Sequence, residues 1–338
     1  MMIQWISPQS NNSVVIASKV ILFRNLKGIK FAQFLNKGES KQVIDRVLNA
    51  LKKKNILDKC YTSRLDEEKY LLEYEKENFG IARDFINISN MALITSESGN
   101  FSILLNEEEH IGIESTKSGL NLKEAYTNVD KLDDLIDEEL DYSFSEEFGY
   151  LTSNVKKAGT GLIAKSIIHL PILSLNNCIR EIREKLLDEG ISIKSTYRLG
   201  SKEVGNIYEI TNLKTLGLTE IEILDSITSI TNKIVLQEKN AREKLFKNGD
   251  LEIKDTIFRA LGTLKNAYII DINEALRLLS YVRLGVETGI IEGVNLEVIN
   301  SAMVGIQPAI INKTLETKLN IQSLKIERAK IIRNALNT

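Results

Sequence analysis

The pattern of this chain changes character once, and that change restricts the fold more than any other feature. Up to about residue 245, short β-branched runs alternate with helical periodicities, whereas from Glu220 onward the chain is patterned almost wholly for helix. Residues 14–23 are rich in Val and Ile and predict a strand. Val43, Ile44, Val47, Leu48 and Leu51 recur at helical spacing within residues 38–54. Residues 91–95 and 101–105 are β-prone and flank Ser98, Gly99 and Asn100, which predicts an antiparallel hairpin. Residues 122–140 predict an acidic amphipathic helix, and residues 179–190 a helix ended by glycine. The apolar residues 162–173 contain Pro171 and suit strand and loop better than helix. Beyond residue 220, Leu224, Ile227, Ile230 and Ile234 form one apolar stripe, and residues 272–284 and 321–336 continue in that style. The expectation is an α+β domain over residues 1–248, an antiparallel sheet flanked by helices, followed by a helical domain over residues 249–338.

Composition narrows the function. The 338 residues are 43% hydrophobic and 27% charged with a net charge of -2, so there is no electrostatic case for nucleic acid as a partner. The two cysteines, Cys60 and Cys178, and the two histidines, His110 and His169, are isolated in sequence, which argues against a disulfide framework and a zinc site. No apolar run approaches the ~18 residues that span a bilayer, and the N-terminus lacks signal-peptide character. The reading is a cytoplasmic protein with no metal site.

One motif misleads. Gly159 to Ser166 imitates G-x-x-x-x-G-K-S, with alanine at the second glycine. A P-loop must open a helix that receives phosphate, and Ile167, Ile168, His169 and Leu170 predict a strand instead.

A stronger signal is an ordered set of segments. Residues 15–28 resemble an S-S-R-x-R-L-A-R-N-L opening, and residues 106–110 (N-E-E-E-H) resemble N-E-E-D-H. F-G-Y-L-T-S at 148–153, G-T-G-L at 159–162, H-L-P at 169–171, G-N-I-Y-E-I-T-N at 205–212 and V-R-L-G at 282–285 follow in order. Together they resemble the bacterial protein arginine kinases of the ATP:guanido phosphotransferase (phosphagen kinase) superfamily, over about residues 14–335. The resemblance implies the phosphagen-kinase catalytic fold, itself similar to that of glutamine synthetase, with a helical dimerisation and regulatory domain behind it.

The family's reaction moves a phosphoryl group from MgATP to a guanidinium, a task of positioning and charge neutralisation. By resemblance, arginines clamp the nucleotide phosphates, two glutamates hold the guanidinium, and a cysteine lies against it. Here the two arginines of S-R-x-R fall on Lys19 and Ile21, and those of the later segments fall on Gly112, Ile163 and Lys194. The cysteine position falls on Asn154 and the second glutamate on Leu199. Glu108, matching the first glutamate, and His110, at a nucleotide-site position, are retained. Lys156, Lys157, Lys165, Lys194, Arg198 and Lys202 gather around the altered segments, either as a solvated surface or as a new anion cluster. Near the C-terminus only Arg328 and Ala329 match an R-D-x-x-R-A segment tied by resemblance to phosphoarginine sensing.

These substitutions lead to the expectation of a pseudokinase, a non-catalytic regulatory or scaffolding subunit in protein quality control and stress response, with no cofactor. The alternative is a divergent but active protein arginine kinase using MgATP. By resemblance the partners are a second copy in a homodimer, a zinc-finger activator protein, a heat-shock repressor or a Clp-type unfoldase. Leu276, Leu279 and Val282 form the apolar stripe expected to drive the dimer.

Overall fold

The computed structural model describes residues 14–64, 72, 90–199, 202–247 and 251–337. The N-terminal segment read above, residues 1–13, lies outside the described residues. Eight strands form one sheet in the order β2-β3-β4-β5-β1-β8-β10-β9. They are β1 (Val15–Arg24), β2 (Cys60–Arg64), β3 (Ala92–Ser96), β4 (Ser102–Leu105), β5 (Ile111–Ser118), β8 (Leu162–His169), β9 (Ile191–Leu199) and β10 (Lys202–Asn212). A small ribbon of β6 (Phe144–Ser145) and β7 (Gly149–Tyr150) stands apart. Every pairing in the sheet is antiparallel, as expected. The expected hairpin is β3–β4, with Ala92 opposite Leu105 and Gly99 at its turn in the left-handed region, φ 67°.

One face of the sheet is apolar on alternate residues and is covered by helices. Val20, Leu22, Ile111, Ile113, Leu162, Ala164, Ile193 and Ile210 are buried there. Against them lie the apolar stripes of α1 (Lys37–Lys53), α2 (Leu122–Asp137), α4 (Ile179–Asp188) and α5 (Glu220–Lys247). Asn36 caps α1 in a capping box with Glu39. Pro171 departs from the strand-and-loop expectation: it opens a short helix, α3 (Pro171–Leu175), where its missing N–H costs nothing.

The C-terminal helices α6 (Leu251–Asn266), α7 (Ile272–Glu287), α8 (Leu296–Gly305), α9 (Pro308–Thr314) and α10 (Ile321–Leu336) build a second core. That core reaches onto one end of the other sheet face, through Ala17, Ile167, Tyr197 and Ile207. Leu276, Leu279 and Val282 are buried in it. The stripe read from sequence as a dimer surface is therefore used up by the chain's own packing. Arg328 is buried too, donating to the carbonyls of Ile306 (3.1 Å) and Ile270 (3.2 Å).

Where the two cores meet, a buried ionic network ties them together. Arg242 of α5 bonds Glu238 (2.7 Å) and Glu287 of α7 (2.6 Å), and Arg283 also pairs with Glu287. Glu238 accepts the otherwise unpaired N–H groups of Ile172 (3.2 Å) and Leu173 (2.9 Å) at the start of α3. His169 closes the network. Its Nδ1 faces Glu287 at 3.3 Å and its Nε2 faces Ser280 Oγ at 2.9 Å, while Ser280 Oγ accepts from Asn206 at 2.9 Å. A neutral ring that donates through Nδ1–H to Glu287 and accepts the Ser280 hydroxyl at Nε2 fits these contacts. Burial, opposed by Glu287, pushes His169 down to about 4.

His169 titrates near 6.5 when the chain is unfolded, so the unfolded state binds the extra proton between about pH 4 and 6.5. Stability is present in full above pH 6.5 and declines as pH falls toward 4, by roughly 3 kcal/mol for a shift of this size. Urea unfolding from pH 7 to 4.5 should show that slope, and His169→Gln should flatten it in that window.

Candidate functional site

The helix-free part of the second sheet face carries the residues singled out in the sequence. Alternation along β1 puts Ala17, Lys19, Ile21 and Phe23 on this face, and the register extends it sideways. Ile21 lies between Glu114 of β5 and Ile163 of β8, and Lys19 lies between Thr116 and Lys165. Beyond β8, Lys165 is opposite Thr211 of β10, and Glu209 of β10 is opposite Lys194 of β9. Five adjacent strands thus carry Glu114, Lys19, Lys165, Glu209 and Lys194 in a row across the sheet.

Four of the five charges in that row are paired with one another. Lys19 Nζ lies 2.9 Å from Glu114 and is only 2% exposed, and Lys165 Nζ lies 3.2 Å from Glu209. Ser102 of β4 donates to the other Glu114 oxygen at 2.9 Å. Burial alone would raise the Glu114 carboxyl, but Lys19 and Ser102 outweigh it, helped by Lys165, and hold it below the ordinary range. Lys157 sits over the Phe23 ring, 3.7 Å from its centroid, and pairs with Glu108. Burial pushes Lys157 down to about 8, with Glu107 opposing the shift and Lys165 reinforcing it. Lys157 and Lys165 are thus not a free cationic cluster, because each has a carboxylate against it. Lys156 and Lys194 are exposed. Arg198 and Leu199 close β9 opposite Glu203 and Lys202, and the side chains of Arg198, Leu199 and Lys202 lie outside the described residues.

Two buried anchors hold the loops in place, and one of them, Glu109, belongs to an acidic run that in sequence reads as a solvated turn. Glu109 is 1% exposed and accepts from Asn25 Nδ2 (2.6 Å), Ser153 N (2.9 Å) and Ser153 Oγ (2.8 Å). It thereby docks the loop holding Ser153, Asn154 and Lys157 onto the end of β1. Arg24 grips Asp133 through Nε (2.9 Å) and Nη2 (2.6 Å) and donates to the Thr160 carbonyl at 2.9 Å. Its guanidinium also stacks 3.5 Å from the Tyr150 ring centroid. Gly161 has φ +66°, and a Cβ on it would meet the Phe23 carbonyl oxygen at 2.6 Å, so glycine is required there. The acidic fourth position of N-E-E-E-H was the available sign for Glu109. No local pattern marked Glu114 or Glu209.

The retained residues behave differently from one another. His110 is wholly buried; its Nδ1 accepts from Leu26 N at 3.0 Å and its Nε2 donates to the Lys30 carbonyl at 2.6 Å. It is a neutral latch under the loop after β1 and not a ligand-facing group; burial, opposed by the Lys30 contact, lowers its pKa. Glu108 is 56% exposed at the cleft edge. Asn154, at the position expected for cysteine, spends its side-chain oxygen on the Lys156 N–H at 3.1 Å. Gly159 to Gly161 lead into strand β8 and not into a helix, so the P-loop imitation has no phosphate-binding geometry. Among the described residues no group of three or more His, Cys, Asp or Glu side chains is placed to hold a metal ion, and no helix is long and apolar enough to cross a membrane.

Comparison with known proteins places the chain. Residues 39–241 match the ATP:guanido phosphotransferase C-terminal catalytic domain, and residues 250–338 match the protein-arginine kinase McsB C-terminal domain. A protein-arginine kinase from Clostridium perfringens is 58% identical over 338 residues, all of both chains. The chain belongs to the protein-arginine kinase family. Another member, from Clostridium tetani, is 37% identical over 98% of each chain. Among solved structures, lombricine kinase superposes with a TM-score of 0.59 at 18% identity, covering 71% of this chain and 69% of that one. The substrate-free duplicated taurocyamine kinase from Schistosoma mansoni gives 0.57 at 22% identity, covering 69% of this chain and 35% of that one. These two establish the phosphagen-kinase fold.

Ile21, Gly112 and Ile163 offer no side-chain donor, and Lys19 and Lys165 are already neutralised.

The different standing of the adjacent glutamates is testable. Glu109→Ala strands buried donors and should cost about 3 kcal/mol. Glu108→Ala should stay within about 0.5 kcal/mol of the parent. Both are read from urea midpoints with unchanged slopes.

Proposed function

We propose that this member of the protein-arginine kinase family does not transfer phosphate and acts by binding, as a regulatory or scaffolding subunit. The observation that carries the reading is the paired row Glu114–Lys19–Lys165–Glu209 on the face where a nucleotide's phosphates would need free cations. The reading is supported by Asn154 and Leu199, which lack the thiol and the carboxylate that the resemblance implies for those positions. Loss of even one charge-assisted donor costs on the order of 10²–10³ in rate in comparable sites. A cytoplasmic setting is in keeping with the free thiols of Cys60 and Cys178. The partners to test are a zinc-finger activator, a heat-shock repressor and a Clp-type unfoldase.

A second reading, an active protein arginine kinase using MgATP, is favoured by the name its relatives carry at 58% identity over the full length. Glu108 would then be its remaining catalytic carboxylate. Incubation with MgATP and unfolded casein separates the two. The first reading expects acid-labile phosphoarginine at the no-enzyme background. Formation well above background that disappears in Glu108→Ala would establish the second.

A homodimer is part of the proposal, with the contact moved off the buried stripe. Leu251 (77% exposed) and Phe258 (55%) lie seven residues apart along one side of α6. Sedimentation at tens of micromolar should give a dimer, and Phe258→Asp should shift it toward monomer; a monomeric parent would contradict this.

A further inference from the structure

Lys19 and Lys165 are direct cross-strand partners on β1 and β8, two cations side by side. Like charges in that position repel, and the repulsion grows as the site is desolvated. Such a pair is stable when an anion sits against it, and that anion need not belong to the protein. Here the flanking strands supply it. Glu114 stands diagonally from Lys19 on one side and Glu209 diagonally from Lys165 on the other, giving the order minus, plus, plus, minus. The two ends differ in strength. Lys19 is 2% exposed and Glu114 19%, with Ser102 fixing the carboxylate from β4. Lys165 and Glu209 are 20% and 26% exposed, and among the described residues no side-chain donor comparable to Ser102 holds Glu209.

We infer that Glu114 and Glu209 are resident anions which hold the Lys19–Lys165 pair closed to external phosphate, and so decide what this cleft rejects. The inference rests on the reading of a cleft without phosphoryl transfer and names the residues that enforce it. Removing the carboxylates, and leaving the lysines, should convert the face into a polyanion site. The gain should be salt-sensitive, because lysines act as point charges without the planar fork that selects phosphate geometry.

The probe is inorganic tripolyphosphate, titrated calorimetrically into the full chain at low and at 0.3 M salt. Glu209→Gln changes the more exposed pair and is the variant expected to fold without difficulty. It should bind at least threefold more tightly than the parent. Glu114→Gln/Glu209→Gln should gain at least tenfold, and 0.3 M salt should erase most of the gain. Adding Lys165→Gln to Glu209→Gln should return affinity to the parent level. If the folded Glu209→Gln protein binds no better than the parent, the inference is overturned and the reading of an inactive kinase stands. A gain that survives Lys165→Gln would also overturn it. Micromolar binding by the parent itself would overturn both.

Discussion

The pairing of β1 between β5 and β8 is the constraint on which the rest of this molecule depends. Its even-numbered residues Val20 and Leu22 meet the buried face under α2 and α5, so register there is fixed by burial. The odd-numbered residues Lys19, Ile21 and Phe23 have no choice but to face the other way. A slip of one residue would drive Lys19 into the helix-covered core. The same register aligns Lys19 with Lys165, and their cost is offset by the glutamates to either side. The end of the strand is secured separately, by Arg24 on Asp133 and by Asn25 on Glu109. Burial of the Asp133 carboxyl raises its pKa despite Arg24, so this is a pair whose disruption is costly and whose net contribution is modest.

The helical region is joined to the sheet by polar contacts as well as apolar ones. Glu287 accepts from Arg242, Arg283 and His169 together, and burial notwithstanding, the two arginines and the histidine hold it down to about 2. A buried network of this completeness fixes orientation more than it adds stability. It also gives H-L-P at 169–171 a physical reason: the histidine bridges to α7 and the proline starts α3 over Glu238.

Much of the fold was legible in the sequence because its signals are local. Runs rich in β-prone residues marked β1, β3 and β4, and helical spacing of apolar residues marked α1, α2 and α5. Pro171 was misread because an apolar run of that length fits strand and helix equally until the N–H acceptor, Glu238, is known. The dimer stripe was misread because Leu276 and Val282 look alike whether they meet another chain or this one. The site was legible only in its losses. Ile21, Gly112, Ile163, Asn154 and Leu199 each depart from the pattern that the resemblance implies. The row of Glu114, Lys19, Lys165 and Glu209 draws on four strands from residue 19 to residue 209, and only their register brings it together. His110 was ambiguous for a related reason: its partners are a backbone N–H and a carbonyl, which leave no trace in side-chain pattern.

On the proposed reading, carboxylates already occupy the lysines Lys19 and Lys165 that would otherwise meet a nucleotide's phosphates. Titration calorimetry of ATP and ADP against the parent chain, with and without magnesium, tests it most directly. The account predicts no dissociation constant tighter than about 1 mM, a free energy near -4 kcal/mol, and no benefit from magnesium. A micromolar, magnesium-dependent constant that barely changes with salt would contradict it.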